Sequence, residues 1–94
     1  MAEVDIQRQN YIAAIRDSIS EVDLELRNKK SDFEQVNDLI EYCRKNKLRK
    51  FKRVAKLEKR ILERKMKFLE IHREELMKLL SKAEKFAPGK GWHK

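Results

Sequence analysis

The side chains that could carry chemistry are few and scattered in this chain of 94 residues, which holds two histidines and one cysteine. His72 lies among Glu70, Glu74 and Glu75. On a helix His72 and Glu75 share a face, but two ligands make a weak metal pair, and no Cys/His cluster has the spacing of a zinc site. His72 therefore reads as a surface histidine at the edge of a packing face. Cys43 falls on an apolar seam, where cysteine acts as a small buried hydrophobe; in a symmetric dimer it would instead stand near its own copy. A single cysteine excludes an intramolecular disulfide and fits a reducing compartment. Gly89-Lys90-Gly91 sets a lysine after a glycine but lacks the upstream glycine and the following Ser/Thr of a phosphate-binding loop. No nucleophile–base pair and no paired acid and base are visible. The sequence thus gives no reason to expect catalytic residues, a metal, a cofactor or a small-molecule substrate, and the chain reads as a non-enzyme.

The charged side chains carry the stronger signal. Residues 1–43 have net charge −5, residues 44–67 net +11 and residues 68–94 net +2, within a total of +8. So dense a cationic block, on a helix rather than in a tail, calls for a counter-anion. Arg49, Arg53, Lys56, Arg60 and Lys67 fall on one row, read as opposite the apolar arc of their helix, with Glu63 the one acid among them. Arg49–Arg53, Lys52–Lys56, Lys56–Arg60 and Arg60–Arg64 are like-charge i,i+4 pairs, each costing a few tenths of a kcal/mol in an isolated helix. Asp17, Glu21, Asp23 and Glu25 offer neutralisation from across an antiparallel seam. They do not reach a row that faces away from it. The row is the candidate nucleic-acid-binding site: lysine and arginine neutralise phosphates in a salt-dependent, sequence-tolerant way. There is no zinc spacing and no obvious helix-turn-helix turn for sequence readout, and the small number of aromatics weakens single-strand stacking. A calmodulin-type spacing at Leu48, Ala55 and Ile61 and a lipid-surface reading of the same amphipathic helix rank lower.

The elements that must position these residues are helices. Both glycines and the single proline fall in the last seven residues, which leaves nothing to punctuate β-hairpins. From Ile12 the apolar residues step by three and four: Ile12, Ile15, Ile19, Val22, Leu26, then Lys29, then Phe33, Val36, Ile40 and Cys43. That is a heptad seam with one polar insert. Two places could interrupt it. Ser31-x-x-Glu34 has capping-box spacing, and Asn46 could end a helix in a left-handed turn. The first places a reversal near 28–31, the second near 44–48, and the second is preferred; using both gives three helices.

From about 48 to 86 the pattern is broader. Leu48, Phe51, Ala55, Leu62, Leu69, Leu76, Leu79, Leu80 and Ala83 make one seam. Val54, Leu57, Ile61, Phe68 and Ile71 make a second beside it. At about 100° per residue the two cover roughly half the circumference, more than one neighbouring helix needs. A third helix or a second copy of the chain is expected to cover the rest. Phe51 and Phe68, within this arc, read as core. Ala87-Pro88-Gly89 stops the last helix, and a flexible basic tail, 88–94, carries Trp92, a candidate partner anchor, and His93.

The expected fold is all-α: over 1–87 a long antiparallel helical hairpin, or a three-helix bundle, with coiled-coil packing and homo-oligomerisation. No apolar run has the length of a transmembrane segment, and MAEVDIQRQN lacks the pattern of a secretion signal, so an intracellular place, cytoplasm or nucleus, is expected. The expected function is an assembly or adaptor module whose outward basic face binds nucleic acid through phosphates. The alternative is a subunit that binds an acidic protein surface, with Val54, Leu57, Ile61, Phe68, Ile71 and Trp92 as the partner-binding residues.

Overall fold

A computed structural model describes the backbone of residues 2–85 and the side chains of residues 5–85. The basic tail, Trp92, His93, Gly89-Lys90-Gly91 and the stop at Ala87-Pro88-Gly89 lie outside the described residues. Two long helices, α1 (Ala2–Lys45) and α2 (Arg49–Lys85), pack as a hairpin. There is no third helix among the described residues. The capping-box spacing at Ser31 and Glu34 goes unused, because nothing between Leu26 and Phe33 breaks the helix and the apolar register is kept across it. Lys29 is accordingly helical and half-buried.

The chain turns at Asn46–Leu48. Leu48 donates its backbone N–H to the Cys43 carbonyl at 2.9 Å, and Lys47 donates to the Arg44 carbonyl at 3.4 Å. This paired closure is a Schellman motif, which satisfies the last carbonyls of a helix when one residue turns left-handed. That residue is Lys47, at φ 57°, and not Asn46. Asn46 remains at the helix end, where its Nδ2 and its backbone N–H both donate to the Tyr42 carbonyl, at 2.8 and 3.0 Å. The Leu48 carbonyl then accepts from Lys52 and opens α2.

The packing divides into two compact units. In one, the start of α1 as far as Asp23 packs with the end of α2 from Ile71. Ile12, Ile15, Ile19 and Val22 are buried there with Leu76. Arg8 reaches over to the end of α2, donating from Nε to the Ala83 carbonyl and from Nη2 to the Glu84 carbonyl, both at 3.2 Å. A cation there is favourable beside the negative end of the helix dipole. Arg16 pairs with Glu84 at 2.6 Å, and Arg73 with Asp23 at 2.5 Å.

The other unit, Leu24–Glu70, holds the reversal. Leu26, Cys43, Ala55, Leu62 and Leu69 are buried in it. Full burial of a leucine side chain contributes about 1.5–3 kcal/mol, so these few side chains dominate the packing. The Lys59 ammonium lies 5.4 Å over the ring of the half-buried Phe33. Here the lysine's charge meets the face of the ring.

Candidate partner-binding face of α2

Ala55, Leu62, Leu69 and Leu76 recur every seven residues, and all are buried. Taking them as position d of a heptad a–g, position a holds Lys52, Lys59, Met66, Arg73 and Leu80, all half-buried. This a/d stripe is the one turned towards α1. The rest of α2 follows from helix geometry. Position f lies directly opposite the stripe, with b and c on either side of it.

Val54, Ile61 and Phe68 are at c, and Leu57 and Ile71 at f. All five are exposed, between 44% for Ile61 and 68% for Phe68. The second apolar seam is thus a real stripe, and it faces away from α1. Phe51 is 65% exposed, at g. The expectation that Phe51 and Phe68 are core is therefore wrong. A single partner helix covers only one heptad stripe, and it takes the one that includes the small Ala55, which admits close approach.

The basic residues also need one correction. Arg53, Arg60 and Lys67 sit at b, and Arg49 and Lys56 at e, so the row flanks the outward stripe instead of standing opposite all the apolar surface. All five are exposed. Among the described residues none of them makes an ion pair; the pairs formed are Arg16–Glu84, Arg44–Glu41, Arg73–Asp23 and Lys78–Glu75. Of the four α1 carboxylates that seemed placed to neutralise the block, Asp23 alone crosses to α2. Its partner, Arg73, lies outside the block; Asp17, Glu21 and Glu25 are exposed. The first turn of α2 holds no acid. Arg49, Lys50 and Lys52 crowd the positive end of the helix dipole, where each cation is unfavourable by a few tenths of a kcal/mol or more.

Beside the stripe, at the reversal, lies an open apolar groove of about 420 Å³ lined by Val36, Leu39, Tyr42, Phe51 and Val54 among others. Cys43 forms its floor and is buried, at 1% exposure. His72 is exposed on α2. Among the described residues no group of His, Cys, Asp and Glu could hold a metal ion, and no helix is long and apolar enough to cross a membrane.

The fold and this face define a class, an all-α helical hairpin with a second, outward heptad stripe. No protein-family model, curated protein or solved structure matches the chain.

Proposed function

We propose that this chain is a non-enzymatic helical assembly module that binds a polyanion, nucleic acid in the first place, through the basic row of α2. The observation that carries this reading is the exposed row Arg49, Arg53, Lys56, Arg60 and Lys67, which has no carboxylate partner among the described residues. Phosphates would relieve three unfavourable terms together: the like-charge i,i+4 pairs, the cations at the start of α2, and the self-repulsion of a chain of net charge +8. Binding of this kind is driven by counterion release and tolerates any sequence.

The test is duplex binding against salt. Wild-type affinity should fall steeply as salt rises, and it should be similar for unrelated duplexes. The double variant Arg53→Gln, Arg60→Gln should lower the slope of log affinity against log salt by about two and leave the helical content unchanged. No salt-sensitive binding at low ionic strength, or an unaltered double variant, overturns the reading. The exposed stripe at Val54, Leu57, Ile61, Phe68 and Ile71 favours a second one, in which the same face docks an acidic, amphipathic protein helix. Defined stoichiometry with shallow salt dependence would select it.

A further inference from the structure

We infer that the outward stripe of α2 is a homodimer seam, covered by α2 of a second copy running antiparallel. The inference goes beyond the polyanion reading and does not depend on it. Val54, Leu57, Ile61, Phe68 and Ile71 alternate between c and f, with Arg64 filling the f position between Ile61 and Phe68. A c/f alternation has the same three–four spacing as a and d, so α2 carries two coiled-coil seams on opposite faces, one already closed by α1.

The second copy is favoured because the stripe is self-complementary in one register. In an antiparallel pair each a-type position packs against a d-type position of the other helix. Centring the pair between Leu62 and Glu63 sets Val54 against the second copy's Ile71, Leu57 against its Phe68, and Ile61 against its Arg64. Symmetry repeats each layer, so two-fold pairing leaves no large apolar residue of the stripe uncovered. The flanking positions agree. On one side Arg53 meets the second copy's Glu74, and on the other Glu58 meets its Lys65; Arg60 against Lys67 is the one like-charge contact. A parallel pair would instead stack Arg64 on Arg64 inside the seam, a buried like-charge contact that antiparallel pairing avoids. Arg64 against Ile61 can carry its charge out along its own stem. Arg64 thus sets orientation at some cost in affinity, as polar residues at seam positions do. Two chains of net charge +8 repel at long range, so the apolar layers must supply the attraction.

The seam also brings Arg53, Arg60 and Lys67 of both copies to one side of the dimer, as one longer basic track. That consequence alone rests on the polyanion reading.

The experiment is sedimentation of the full chain at physiological salt across a concentration series, without nucleic acid. Wild type should reach twice the 11.4 kDa chain mass. Leu57→Asp should return it to one chain mass with helical content intact, because Leu57 is 55% exposed and outside the hairpin core. Arg64→Leu should tighten the dimer by about a hundredfold, about tenfold for each of the two symmetry-related layers it changes. Orientation is read by cross-linking a Cys43→Ala background that carries Glu58→Cys and Lys65→Cys. Oxidation should yield a covalent dimer, whereas either single cysteine variant should not. A wild-type monomer throughout the series, a dimer that survives Leu57→Asp, or failure of the double-cysteine pair to cross-link a dimeric protein each overturns the inference. A dimer that binds no duplex removes the polyanion reading and leaves this one standing.

Discussion

The Cys43 carbonyl accepts the Leu48 backbone N–H at 2.9 Å, and the closure is made possible by Lys47 turning left-handed between them at φ 57°. A residue with a Cβ in that conformation loses roughly 1–2 kcal/mol, a cost that glycine avoids. Lys47→Gly should stabilise the protein by about 1 kcal/mol, since part of the gain is returned as extra freedom of the unfolded chain. The urea midpoint should rise with an unchanged slope.

Buried and outward apolar positions of α2 should answer differently to truncation, as Leu62 at d and Phe51 at g show. Leu62 is 4% exposed and Phe51 is 65% exposed. Leu62→Ala should cost about 2–5 kcal/mol by leaving a cavity. Phe51→Ala should cost less than about 1 kcal/mol, within the range of surface changes. Thermal unfolding of the two variants at one protein concentration decides it. Equal losses would mean that Phe51 is covered in solution.

Asp23 and Arg73 form an ion pair at 2.5 Å, with their side chains 39% and 41% exposed. At that exposure water and salt screen most of the attraction. A double-mutant cycle with Asp23→Asn and Arg73→Gln should return a coupling below about 1 kcal/mol. The coupling should fade as ionic strength approaches about 1 M, where screening is short-ranged.

Lys29 occupies a half-buried seam position of α1. Lys29→Leu should raise stability by about 1 kcal/mol, from the apolar area it adds to the seam. It should also broaden the distribution of assembly states, because a polar seam residue restricts register. Denaturation and sedimentation of the one variant test both statements. A drop in stability would mean that the ammonium makes a contact the fold requires.

Much of the hairpin was legible because spacing is a geometric quantity. The three–four steps from Ile12 to Cys43 place the α1 seam, and five of those residues from Ile12 to Leu26 are buried, as is Cys43. The second stripe from Val54 to Ile71 was legible as apolar surface in need of a further neighbour. What periodicity does not specify is which of the two stripes the partner helix takes. Shape decides that: small Ala55 admits close approach, while Phe51 and Phe68 suit an open face. The capping-box spacing at Ser31 misleads for a related reason. A cap matters where a helix starts, and an unbroken apolar register leaves no reason to start one there. Lys47 was invisible as the left-handed residue, since side-chain preference favours Asn46 and backbone closure chose its neighbour. For the basic row, spacing places the charges, but where they stand against the apolar stripe follows only once α1 has claimed one side.

The turn at Asn46–Leu48 also has a kinetic consequence. Contacts next to it close short loops, whereas Arg8 meets the Ala83 carbonyl across a sequence separation of 75. Loop-closure entropy rises with that separation, so the antiparallel pair should zip from the turn towards its ends. Lys47→Gly should then accelerate folding and leave the unfolding rate nearly unchanged, and Arg8→Gln should do the reverse. Stopped-flow refolding and unfolding of these two variants would place the transition state along the hairpin.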